Sequence, residues 1–208
     1  MIELSSYLLY LAACVALILV PGPAQALVLA RTLAGGRRAG GLTALGLNVG
    51  TLFHTVAAAL GLSAILATSA LAFSVVKYIG AAYLIYLGIK ALLSGAPAAS
   101  TASPSSTKPA SALGQAVVTG VLNPKVALFF LAFLPQFVEP SHGHLFLQFL
   151  VLGATMAVLD TLYELALVLA FSRLRSRYLG NGKFALWQSR VSGVVLIALG
   201  VRLAVQSR

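Results

Sequence analysis

Val20-Pro21-Gly22-Pro23-Ala24 and Leu122-Asn123-Pro124-Lys125-Val126 are the two stretches on which the fold turns. Both sit deep inside runs apolar enough to cross a bilayer. A proline inside a helix removes a backbone donor and clashes with the preceding turn. In hydrocarbon the freed backbone groups need cover from protein or from a polar cavity. Two such breaks in corresponding halves of one chain point to the binding site of a membrane carrier. The expected fold class is therefore all-α: a polytopic membrane protein with six transmembrane helices, arranged as two inverted three-helix repeats with broken first and fourth helices.

Composition supports a bilayer. The chain is 60% hydrophobic and 9% charged, against a soluble norm of about 45–50% and 25%. Too few charges remain to clothe a soluble core. The 14 Lys and Arg outnumber the 4 Asp and Glu, a surplus that in a soluble protein would suggest nucleic acid. Here they gather in short connections and at helix ends, so membrane topology explains them and no nucleic-acid partner is expected. A single cysteine, Cys14, rules out an internal disulfide and a Cys-based metal cluster. Tyr7 to Val20 resembles the apolar part of a signal peptide, and Ala24-Gln25-Ala26 a cleavage site. Yet Glu3 precedes it and no Lys or Arg comes before Arg31, so an uncleaved first helix is expected.

A span needs about 20 mostly apolar residues. Six stretches qualify: 5–30, 40–68, 72–93, 112–137, 145–171 and 186–206. Residues 94–111, rich in Ala, Ser, Thr and Pro, read as a flexible cytoplasmic linker between a first repeat (1–93) and a second (112–208). Arg31, Arg37 and Arg38 mark the first connection, Lys90 and Lys108 the linker, and Arg173, Arg175, Arg177 and Lys183 the fifth. The second connection has no basic residue, and the fourth has Glu139, His142 and His144. The positive-inside rule then puts odd connections in the cytoplasm and both termini in the periplasm. The halves also repeat. Pro23-x-x-Ala26-Leu27 matches Pro124-x-x-Ala127-Leu128, and Leu45-Gly46 matches Leu152-Gly153. Lys77-x-x-Gly80 with Leu87-Gly88-Ile89-Lys90 returns as Arg190-x-x-Gly193 with Leu199-Gly200-Val201-Arg202. Three helices per half would insert the second copy upside down, as in secondary transporters.

These residues also carry a family resemblance. The chain resembles bacterial amino-acid exporters of the lysine exporter (LysE) superfamily, nearest the homoserine/threonine and leucine exporter (RhtB) branch. The matching residues are Pro21-Gly22-Pro23, Gly46 and Gly50, and Lys77-Tyr78-Ile79-Gly80-Ala81-Ala82-Tyr83-Leu84 with Leu87-Gly88. In the second half they are Asn123-Pro124-Lys125, Phe129-Phe130, Pro135-Gln136-Phe137-Val138 and Asp160. The resemblance implies proton-driven efflux of amino acids or related small metabolites across the bacterial inner membrane. It does not extend to Glu164 or His54.

The residues suggest how such a substrate would be held. A free amino acid brings a carboxylate and an ammonium, and burying either unpaired is costly. A helix restarting after a break aims unpaired N–H groups and a positive dipole end at its start, which suits a carboxylate. The candidate binding residues are Pro21, Gly22, Pro23 and Gln25 at the first break, Asn123, Pro124 and Lys125 at the second, and Asn48. Asn123 could instead cap the restarting helix. Lys125 costs about 2.5–3.5 kcal/mol inside a span, which favours a role as substrate partner or counter-ion to Asp160 over plain snorkelling. Asp160 and Glu164, at i and i+4, share one helix face, and two close carboxylates disfavour joint ionisation. They are the candidate proton carriers, Glu164 having a pairing with Arg173 as its alternative. His54, on a stripe with Asn48, Thr51 and Thr55, could relay protons or bond across helices. Tyr83 and Tyr86 read as packing residues.

Two other classes compete. A metal or other cation exporter of the same superfamily would want several converging acidic ligands, and only Asp160, Glu164 and His54 offer themselves. An intramembrane enzyme would need a nucleophile with its base, or a motif such as His-Glu-x-x-His, and the chain has neither. The expected partners are membrane lipid, an amino acid and protons, with no cofactor. Gly46-x-x-x-Gly50 permits close helix contact and leaves a homo-oligomer open.

Overall fold

A computed structural model describes residues 2–68, 70–93, 109–178 and 182–205. Their regular structure is helical throughout: α1 (Leu4–Leu19), α2 (Pro23–Thr68), α3 (Ala70–Leu93), α4 (Pro109–Val121), α5 (Pro124–Ala132), α6 (Leu145–Tyr178) and α7 (Gly182–Val205). Two 3₁₀ turns, Leu134–Phe137 and Pro140–His142, join α5 to α6. Pro23–Leu62, Ala112–Phe137 and Leu145–Arg173 are long and apolar enough to cross a membrane, and Leu4–Leu19 and Tyr78–Leu93 are shorter apolar helices.

Both proline-bearing stretches interrupt the helix. The stretch expected at 5–30 consists of α1 and the start of α2, and that at 112–137 of α4, α5 and a 3₁₀ turn. In α2 the chain folds back at Gly36, whose φ of 71° is open to glycine but strained for other residues. The reversal is tight. A Cβ on Gly40 would run into the side chain of Thr32, eight residues earlier, whereas a straight helix would separate them by about 12 Å. Of the expected linker, 94–108 lies outside the described residues, and 109–111 open α4.

Small residues let the helices approach. Gly46 packs on Ala116, and Gly50 lies against the backbone of Gly120, so this face of α2 is used inside the chain, on α4. Gly88 of α3 and Gly193 of α7 meet backbone to backbone, and Gly200 abuts the carbonyl of Ala81. Such contacts favour helix association where no hydrophobic drive separates protein from lipid. Leu45, Val49, Leu52 and Phe53 of α2 and Val151, Val158 and Leu162 of α6 are exposed. An apolar outer surface of that extent suits lipid rather than water.

The buried core joins Tyr10, Cys14 and Leu17 of α1 to Leu84 and Leu87 of α3 and to Phe129, Phe133 and Phe137. Tyr10 donates from its hydroxyl to the Leu152 carbonyl at 2.8 Å, so the one polar atom of this ring is satisfied where it is buried. Beyond the second 3₁₀ turn, Gln148 accepts from the Glu139 N–H and donates to the Glu139 and Gly143 carbonyls, fastening the connection to α6.

Candidate functional site

A helix that stops inside a span leaves its last four carbonyls without intrahelical donors. At the end of α1 two side chains supply them. The Lys125 ammonium donates to the carbonyls of Leu17 (3.2 Å) and Val20 (3.0 Å), and the Gln25 amide donates to that of Ile18. Val20 leaves the helix with φ −66° and ψ 116° and returns its own N–H to Leu17. A cation at this position also meets the negative end of the α1 dipole.

The second break is closed locally. Asn123 takes an extended conformation, and its side chain accepts from the Lys125 N–H at 3.1 Å, capping α5 with Pro124 in the first turn. This is the structural role that asparagine fills at helix starts. On the other side, the His54 imidazole faces the backbone of Gly120 and Val121 at the end of α4, with Phe53 and Phe130 against its ring. Its Nε2 is buried with no partner.

Both breaks open on one cavity of about 360 Å³. Pro21, Gly22 and Pro23 form one wall, and Asn123, Pro124 and Lys125 another. The third comes from α3, through Tyr83, Tyr86, Leu87 and Lys90. The Tyr83 and Tyr86 rings lie 6.2 Å apart, and the Lys90 ammonium sits 6.0 Å from the centre of the Tyr86 ring. The cavity thus offers the ammonium groups of Lys125 and Lys90, two aromatic rings with their hydroxyls, and the main chain of two interrupted helices.

The other residues singled out from the sequence lie around this cavity rather than in its walls. Gln25 is turned back onto α1. Asn48 donates to the Ala157 carbonyl of α6 at 2.8 Å, the carbonyl that also accepts from Thr161, so it ties α2 to α6 beside Asp160. Asp160 and Glu164 both act electrostatically on Lys125. Glu164 is only 2% exposed, and its Oε2 has no hydrogen-bond partner. Arg173 is exposed further along α6. Among the described residues no three His, Cys, Asp or Glu side chains converge as a metal site would require.

Tyr83, Tyr86 and Lys90, which read from the sequence as packing or topology residues, line the cavity instead. The spacing could have placed them. Residues 83, 86, 87 and 90 follow the i, i+3, i+4, i+7 pattern of a single helix face.

The family model of the LysE type translocator matches residues 15–207. An uncharacterized membrane protein of Bacillus subtilis is 32% identical over 95% of this chain and 97% of its own length. The leucine efflux protein of Klebsiella pneumoniae is 32% identical over 96% of this chain and 94% of its own. That of Salmonella typhimurium is 29% identical with the same coverage. No solved structure matches the chain.

Proposed function

The chain belongs to the LysE type translocator family, and from that premise we propose that it exports amino acids or close relatives from the cytoplasm by proton antiport. The observation that carries this reading is the cavity onto which both helix breaks open. An apolar metabolite would need no such site. A zwitterion needs a cation and an acceptor held a few ångströms apart, and the breaks supply both. The Lys125 ammonium donates to the Leu17 and Val20 carbonyls. On binding, the substrate ammonium takes those carbonyls and the substrate carboxylate takes Lys125, so each charge exchanges one partner for another. Tyr83 and Tyr86 flank the side chain, for which their rings suit a branched apolar group such as leucine's.

Asp160 and Glu164 carry the coupling proton in this reading. A buried ionised carboxyl without a partner is costly, so Glu164 is placed to hold a proton or to meet a cationic group. The packing supports two inverted repeats. Exchanging α2 with α6 and α3 with α7 carries the α2–α6 and α3–α7 packing onto itself. The meeting of Gly88 with Gly193 is answered, one residue along from the Gly80 of the sequence repeat, by that of Gly200 with Ala81. By the positive-inside rule the break cavity, with Lys90 at its edge, faces the cytoplasm of a bacterial inner membrane, and both termini face the periplasm.

The test is counterflow of labelled L-leucine in liposomes holding the purified protein, with and without an imposed pH gradient. Accumulation that responds to the gradient is expected. Movement indifferent to pH would remove the antiport, and resistance to divalent metals without amino-acid movement would move the assignment to cation export.

A further inference from the structure

A second cavity, of about 430 Å³, lies toward the other end of α1. Its walls include Ser5 and Ser6 of α1, Phe133 and Phe137, Gln136 between them, and Arg202 near the end of α7. From this arrangement we infer that the second cavity is a separate binding site for the carboxylate of the exported amino acid, at which the substrate pauses on the periplasmic side before release. The inference rests on the export reading above and adds to it a site, a ligand group and the residues that hold it.

Three observations converge. First, Arg202 supplies a guanidinium whose fork of donors fits a carboxylate. Second, the Gln136 Nε2 is buried without any hydrogen-bond partner while its side chain lines the cavity. A buried amide donor left unmade costs about 1–3 kcal/mol, and an acceptor entering the cavity recovers that cost. The Ser5 and Ser6 hydroxyls add further donors.

Third, the two cavities share one pair of repeat-related wall residues. Leu87 and Lys90 of α3 line the first; Leu199 and Arg202 of α7 line the second. In the sequence repeat Leu87-Gly88-Ile89-Lys90 corresponds to Leu199-Gly200-Val201-Arg202. Each cavity therefore carries a basic residue at the same place in its own half. Between them runs a single stripe at i+4 steps, Lys125, Phe129, Phe133 and Phe137. Successive ring centres along it lie 5.1 and 4.9 Å apart, and Tyr10 stands 5.2 Å from Phe137. The stripe starts in the wall of the first cavity and ends in that of the second, so packed aromatic core separates the two.

The test uses the full-length protein with Cys14→Ala, which removes the only native thiol, and Ser6→Cys as a reporter. In intact cells a membrane-impermeant maleimide should label the introduced thiol from outside. External L-leucine should slow labelling, and isopentylamine, which lacks the carboxylate, should not. Adding Arg202→Gln or Gln136→Leu should raise the half-protecting leucine concentration about ten-fold or more, the loss of one charge-assisted or buried hydrogen bond. Arg202→Lys, which keeps the cation, should retain most of the protection and shows that loss in Arg202→Gln is not misfolding. Labelling from outside that leucine leaves unchanged overturns the inference, as does equal protection by isopentylamine. So does labelling in liposomes that responds to phosphatidylglycerol content and not to leucine, which would assign the cavity to a lipid headgroup. If the wild type moves no leucine in counterflow while external leucine still protects the thiol, the export reading fails and the site stands.

Discussion

The two breaks share a proline and differ in its neighbours. Gly22-Pro23-Ala24 stands at the first, Asn123-Pro124-Lys125 at the second. The second break therefore carries its own cap, and it lends a cation to the first: Asn123 closes α5 and Lys125 reaches across to the end of α1. The first break draws only an amide from its own half, Gln25 onto the Ile18 carbonyl, and takes its cation from the other. The difference teaches that sequence repeats need not be equivalent sites. On the proposed reading one half serves as donor and the other as acceptor, a division that suits a substrate with unlike ends.

Lys125→Met tests the comparison hardest. It strips both carbonyls of α1 of the ammonium, at about 1–3 kcal/mol for a buried polar group left unmet. The expected outcome is a clear fall in thermal midpoint in detergent and loss of leucine counterflow. A variant as stable as the wild type would show that the first break needs no help from the second. Asp160→Asn comes next. It should abolish accumulation driven by a pH gradient while leaving insertion and gel-filtration behaviour intact, and normal proton coupling in that variant removes Asp160 from the mechanism.

Asn123→Ala should cost about 1 kcal/mol, the usual worth of a helix cap, while Asn123→Asp keeps an accepting oxygen and most of the stability. Thermal unfolding of the pair separates capping from substrate contact, because only a substrate role would depress counterflow in the Asp variant at full stability. Gly22→Ala should do least. Its new methyl would lie 3.9 Å from the Lys125 ammonium, an ordinary contact, so stability should stay within about 0.5 kcal/mol. A large loss would mean that the first break is shaped more closely than its open mouth suggests.

Much of the architecture was readable from the chain. Pro21, Pro23 and Pro124 announce interruptions because a missing N–H and a fixed φ act locally, whatever packs nearby. Asn123 as a cap was legible for the same reason. What could not be read was the direction of long side chains. Lys125 has four rotatable bonds, and sequence spacing does not say that its ammonium turns to α1 rather than toward Asp160. Asn48 and Gln25 likewise carry side-chain amides that fasten helices here, a choice settled by which carbonyl lies within reach. Tyr83, Tyr86 and Lys90 were hidden by the third wall: two breaks suggest a pocket, but not which neighbouring helix closes it. The reversal at Gly36 was expected only as a short connection between Arg31 and Arg38. That α2 runs on either side of it almost without a loop depends on one positive φ.

The crossing of α3 and α7 has a mechanical meaning. A methyl added to Gly88 would stand 2.6 Å from the Gly193 carbonyl oxygen, and one added to Gly193 would stand 2.7 Å from that of Gly88. Main chain rests on main chain there, with the Ile197 and Leu92 side chains packed against the same spot. Two rods this close can tilt about the point only by carrying the Leu92 and Ile197 side chains with them. The spot is a fulcrum, and any larger residue there is a shim that jams the lever.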